Sequence, residues 1–175
     1  MSKNIVLIGY MGSGKSTVAK ELHRKAGMKI LDTDLMIVEK QGRSINTIFA
    51  KEGEASFRDM ETRLLEELYD SSEYQKNCII STGGGMPVRE ENRALLKKLG
   101  TVFFLKATTD TILEHVKNDT ERPLLRDPDR RKKIEEMLLQ RTPAYEDAAD
   151  YVIDTDHKSV VEVTEDIWKL ISKKH

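Results

Sequence analysis

Disulfides, membrane spans and an excess of charge of one sign are all missing from this chain. Its one cysteine, Cys78, excludes an internal disulfide and sits in an apolar run, where it reads as a small buried hydrophobe. No apolar run approaches the roughly 20 residues that a bilayer-spanning helix requires, so no membrane partner is expected. Acidic and basic residues nearly cancel, 30 against 29, and form no basic stripe for a nucleic acid. The opening MSKNIVLIGY enters a strand pattern at once and has no signal-peptide pattern, which sets a cytoplasmic location as the expectation. Repeats, low-complexity tracts and linkers are absent too. The 175 residues suit one domain with its own core.

What the chain does have is alternation. The apolar runs NIVLIG, MKILDTD, CIISTG, TVFFLKA and DYVIDT read as strands buried on both faces, the habit of parallel sheets. Between them lie helical patterns at Lys15–Ala26, a pair within Ser44–Asp70, Glu90–Leu99, Thr109–Lys117, Arg130–Ala148 and Ser159–Lys173. Ser159 and Glu162 have capping-box spacing at the start of the last. Alternation of this kind predicts βαβ crossovers, hence a three-layer α/β/α domain around a parallel sheet of about five strands.

GYMGSGKST, Gly9–Thr17, fits G-x-x-x-x-G-K-[ST] and stands between a strand and a helix, as a phosphate loop requires. Glycines let successive N–H groups turn toward one anion, and the helix N-terminus adds its positive end. Gly12, Ser13, Gly14, Lys15, Ser16 and Thr17 are the expected phosphate contacts. Lys15 is within reach of the β- and γ-phosphates of ATP, and the Ser16 hydroxyl is placed for Mg²⁺. The loop is silent on the acceptor, although a chain this short fits a small-molecule kinase better than a motor or a GTPase.

Asp32 and Asp34 in ILDTDLMI end the second strand, the edge where ligands bind in open α/β sheets. Read as extended, i and i+2 point the same way, one carboxylate toward the Mg²⁺ hydration shell and the other toward an acceptor hydroxyl. The competing reading makes them helix N-caps. GEASFRDMETRLLEELYD reads as a helix with an apolar stripe through Phe57, Leu64, Leu65 and Leu68. Arg58 beside it has the fork that matches a carboxylate, or else pairs with Glu54 or Glu61. NDTERPLLRDPDRR, residues 118–131, is either a solvated loop or a lid carrying cations. Gly83, Gly84 and Gly85 in STGGG are costly unless something must approach bare backbone.

Taken in order, GYMGSGKSTVAKEL, DTD, FRDMET, STGGGMP, RPLL and RTPAYEDAAD resemble shikimate kinase, in the nucleoside-monophosphate-kinase-like P-loop group. The resemblance covers nearly the whole chain. It implies a P-loop kinase fold over residues 1–175, with a lid at about 118–128, a core on either side of it and an acceptor-binding region at about 33–62. It also implies transfer of the γ-phosphoryl group of ATP to the 3-hydroxyl of shikimate, on the route to chorismate and the aromatic amino acids. By the same resemblance Lys15, Asp34 and Arg122 are catalytic, with Arg122 closing over the phosphates. Arg58 and Arg141 grip the shikimate carboxylate, and Gly83–Gly85 line the acceptor pocket. Asp32 stands near Mg²⁺ through water. Where the family often has an adenine-stacking arginine, this chain has His115. A monomer is expected, with no nucleic acid or membrane as partner. The alternatives are another small-molecule kinase, gluconate-kinase-like or acting on nucleotides, and a noncatalytic kinase-like binding module. Gluconate kinases are not expected to carry the DTD, F-R and GGG set together, and a noncatalytic module should have lost Lys15, Asp34 or Arg122.

Overall fold

Five short strands, three of them apolar and buried at the centre, form one parallel sheet. The computed structural model describes residues 3–117 and 127–173. The strands are β1 (Asn4–Ile8), β2 (Lys29–Asp32), β3 (Cys78–Ser81), β4 (Gly100–Lys106) and β5 (Tyr151–Asp154), in the order β2-β3-β1-β4-β5. All four pairings are parallel, as in Ile5 opposite Ile79 and Thr101. Among the described residues the helices are α1 (Lys15–Ala26), α2 (Thr33–Gln41), α3 (Ile45–Asp70), α4 (Glu90–Leu99), α5 (Thr109–Val116), α6 (Arg130–Ala148) and α7 (Val160–Ser172).

Period-two side-chain alternation splits the core into two layers. Ile5 and Leu7 of β1 face α1 and α7, packing with Val18, Leu22, Val163 and Ile167. Val6 and Ile8 face the other way, among Phe57, Leu65, Leu96, Ile134 and Tyr145. The expected three-layer α/β/α architecture is the one observed. Burial on both faces holds for β1, β3 and all of β4 but Lys106, whereas the edge strands β2 and β5 are only partly covered. An edge strand lacks a neighbour on one side, and Val152 of β5 is accordingly exposed.

One expectation needs correction. MKILDTD is not extended throughout: the strand stops at Asp32, and Thr33 starts a helix absent from the periodicity reading. The helix pair expected within 44–70 is present, as two helical segments of α3 that meet at Gly53, whose φ of 84° and ψ of 172° lie outside the helical region. Ser159 and Glu162 do form the capping box at α7. Among the described residues no helix is long and apolar enough to cross a membrane.

Candidate active site

The chain crosses from one half of the sheet to the other past β1, and a crevice opens there at the carboxyl ends of the strands. A cleft of about 910 Å³ occupies it. Gly12, Gly14, Lys15, Ser16, Thr17 and His115 line one end. Asp34, Arg58, Gly83, Gly84, Gly85 and Arg141 line the other, with Asp32 also on the wall. Every described candidate from the sequence except Ser13 therefore meets in one space. Arg122 and most of the expected lid lie outside the described residues.

The phosphate end is built from backbone. Four helices have a capping side chain, from Asp32, Ser44, Thr108 and Ser159, while α1, like α4 and α6, has none and begins at Gly14. Its first-turn N–H groups are thus left to an anionic ligand. Lys15 is almost fully buried, and its Nζ donates to the carbonyls of Gly9 at 2.6 Å and Tyr10 at 2.9 Å. Ser13 turns away from the cleft. Its N–H bonds the Tyr10 carbonyl at 3.1 Å, and its buried hydroxyl has no hydrogen-bond partner among the described residues. His115 reaches across from α5 and donates Nδ1–H to the Gly12 carbonyl at 2.7 Å. It therefore braces the loop.

The acceptor end is built from side chains seated on bare backbone. The glycine triplet follows β3, and none of its members has a positive φ. Space is the reason for glycine here. A Cβ on Gly83 would lie 2.5 Å from Asp34 Oδ1, and one on Gly85 would lie 2.1 Å from Arg58 Nη2. One on Gly84 would come 3.3 Å from the Met11 nitrogen and 3.7 Å from Arg141 Nη1. Each glycine thus lets the chain's own polar side chain or loop lie flat against it. The Gly83 N–H is already given to Thr33 Oγ1 at 3.1 Å, and the Gly84 carbonyl accepts from the Tyr145 hydroxyl at 2.6 Å. Thr33 and Tyr145 therefore hold the floor in place, a function that single-residue reading of the sequence missed.

Asp32 behaves as the competing reading held: its Oδ1 accepts from the Leu35 N–H at 3.1 Å and caps α2. Asp34 lies in the first turn of α2, so helical geometry, not strand alternation, aims it at Gly83. Arg58 does pair with both nearby glutamates. Its Nη1 meets Glu61 Oε1 at 2.5 Å and its Nη2 meets Glu54 Oε1 at 3.2 Å. The guanidinium also lies 5.5 Å from the Phe57 ring centroid, and that of Arg141 lies 5.8 Å from Tyr10.

Glu61 is the buried residue that ties this end together. It is fully buried, and its Oε2 has no hydrogen-bond partner among the described residues. Burial pushes its carboxyl up to about 7 against the pull of Arg58, while the nearby Asp34 charge raises it further and Arg141 lowers it. A signal for it existed, since Glu61 falls in register with Phe57, Leu64, Leu65 and Leu68 on the apolar stripe. Burial also pushes the Tyr145 phenol up to about 12, keeping it a donor to Gly84.

Hard oxygen donors for a metal at the phosphate end are the Ser16 hydroxyl and Asp32. Among the described residues no group of three or more His, Cys, Asp or Glu is arranged to hold an ion. That donor set is too small to encage a cation. It suits Mg²⁺, which keeps several waters and takes most of its other ligands from phosphates.

Comparison with known proteins agrees with this geometry. A family model described as shikimate kinase matches residues 11–172. A shikimate kinase from Thermodesulfovibrio yellowstonii is 43% identical over 167 residues, spanning 95% of this chain and 94% of the relative. One from Geobacter metallireducens is 41% identical, over 94% of this chain and 89% of the relative. A solved shikimate kinase from Acinetobacter baumannii, in complex with shikimate, superposes with a TM-score of 0.90 at 36% identity, covering 99% of this chain and 95% of that one. Matched over almost its whole length in both sequence and structure, this chain belongs to the shikimate kinase family.

Proposed function

We propose that this protein transfers the γ-phosphoryl group of ATP to the 3-hydroxyl of shikimate, giving shikimate 3-phosphate and ADP. One observation carries the reading: a single cleft has an uncapped P-loop helix at one end and two arginines, a carboxylate and a glycine floor at the other. A small, anionic, hydroxylated acceptor needs that second set, because an arginine fork matches a carboxylate and a carboxylate orients a hydroxyl.

Phosphoryl transfer asks mainly for in-line positioning and for cations around the migrating group. In this reading Lys15 exchanges its carbonyl partners for the β- and γ-phosphates. The α1 N-terminus cradles the phosphates with Gly12, Gly14 and Thr17. Asp34, laid against Gly83, receives the acceptor hydroxyl and orients it for attack. Arg58 and Arg141 hold the acceptor's carboxylate at the opposite end, which fixes the ring. Arg122, assigned from the family pattern alone, joins Lys15 on the transferred group. Ser16, and Asp32 through water, would hold Mg²⁺, which neutralises charge on the β- and γ-oxygens when bound. The same reading takes the enzyme to be a cytoplasmic monomer.

The test is a coupled ADP-release assay offering shikimate, gluconate and nucleoside monophosphates in parallel. Shikimate-dependent turnover is expected, lost in EDTA and restored by excess MgCl₂. Turnover of another acceptor with none on shikimate would overturn the substrate assignment, and turnover that survives EDTA would overturn the metal's role.

A further inference from the structure

Arg58 has two glutamate partners in very different surroundings. Glu61 is fully buried, while the Glu54 side chain keeps 63% of its exposure. Glu61 takes the Nη1 corner and cannot leave without stranding a buried charge. Glu54 takes Nη2 from the solvent side and can swing back into water at little cost. Nη2 and Nε share the edge of the guanidinium that receives a carboxylate side-on. The Arg58 Nε, buried on that edge, has no hydrogen-bond partner among the described residues. The edge is therefore half filled, and its filled half is held by a residue of this chain.

Position supports exchange. Glu54 directly follows Gly53, where the backbone leaves the helical region, so it opens the second segment of α3 and lies one turn before Arg58. A substrate carboxylate arriving at Nη2 would face the Glu54 carboxylate across the same donor, and two like charges there repel. One of them must yield, and the exposed one yields at the lower cost.

We propose that Glu54 is a displaceable internal anion, which occupies the Nη2 corner of Arg58 in the free enzyme and surrenders it to the acceptor's carboxylate. The inference rests on the reading of Arg58 as a carboxylate clamp. Glu54 then keeps the arginine seated against Gly85 between turnovers, and it sets how strongly an acceptor must bind to displace it. Neutral acceptors, unable to replace the lost charge pair, are disfavoured.

Isothermal titration of the nucleotide-free enzyme with shikimate tests this, using wild type, Glu54→Gln, Glu54→Asp and Arg58→Lys, each checked for folding by thermal melt. Glu54→Gln is expected to lower the shikimate Kd by about two- to five-fold, the range of an exposed ion pair. Glu54→Asp, which keeps the charge but draws it back from Nη2, should lower the Kd in the same direction. A fall in the Gln variant alone would reduce the effect to net charge and overturn the proposal. An unchanged or raised Kd in both would overturn it as well. Arg58→Lys separates this from the clamp itself. A raised Kd there keeps the clamp whatever Glu54 does, and an unchanged Kd removes the clamp and the proposal together.

Discussion

The two ends of the cleft both depend on glycine, and Gly14 at one end and Gly85 at the other do so for opposite reasons. At the phosphate end Gly14 has a φ of 96°, and a Cβ there would meet nothing within 4 Å. Conformation is what it supplies. At the acceptor end Gly85 has an ordinary φ of −95°, but a Cβ would collide with the Arg58 guanidinium. Space is what it supplies. The phosphate end is a contiguous stretch whose function lies in its backbone. The acceptor end is an assembly of side chains from α2, α3 and α6 laid on a floor from the β3–α4 connection.

Gly85→Ala should break that contrast most severely. The methyl displaces the Arg58 guanidinium and parts it from buried Glu61, so the thermal midpoint should fall along with the loss of the clamp. Losing one partner of a charge-assisted pair costs about 2 kcal/mol or more, which is roughly thirty-fold or greater in shikimate KM. ATP KM should stay close to wild type, and a matched rise in both would abolish the distinction between the two ends.

Gly14→Ala should act in the other direction and less strongly. A non-glycine residue in the left-handed region costs about 1–2 kcal/mol, so ATP affinity should fall several-fold as the loop relaxes. Shikimate binding to the nucleotide-free enzyme should be unchanged, as calorimetry can check.

Glu61 sharpens the comparison through pH, because among the described residues only the acceptor end buries a carboxylate whose proton affinity is raised. The folded state holds the proton up to about 7, while the unfolded chain releases it near the ordinary 4.5. The folded form thus binds more protons in that window, and stability falls as pH rises from about 4.5 through 7. Urea unfolding should show this slope in wild type and a flatter one in Glu61→Gln. Equal slopes would mean that Glu61 is ionised on both sides of folding.

Much of the fold was legible because its signals are local. The five strands, the α1 and α7 starts and the broken helix at 44–70 follow from runs, caps and periodicity. Helix α2 was not, since LDTDLMI carries the apolar residues and central position of a strand. What turns it is Asp32, whose carboxylate takes the Leu35 N–H and makes helix the better use of the backbone from Thr33 onward. Asp34 reached the cleft by a different geometry from the one that strand alternation predicts. Arg58 posed the opposite problem: its glutamate pairing and its place in the cleft are compatible, because a guanidinium has more than one edge.

The sequence by itself determined the phosphate end, because nine consecutive residues, Gly9–Thr17, carry both the turn and the helix start that an anion needs. It also determined that three successive glycines had to meet something. Only the tertiary structure decided what. Asp34, Arg58 and Arg141 are far apart along the chain, and each packs against the triplet or the loop beside it. Their meeting depends on the parallel sheet bringing β2, β3 and β1 side by side with their carboxyl ends on one edge. Local patterns specify elements, and the space between elements exists only after they pack.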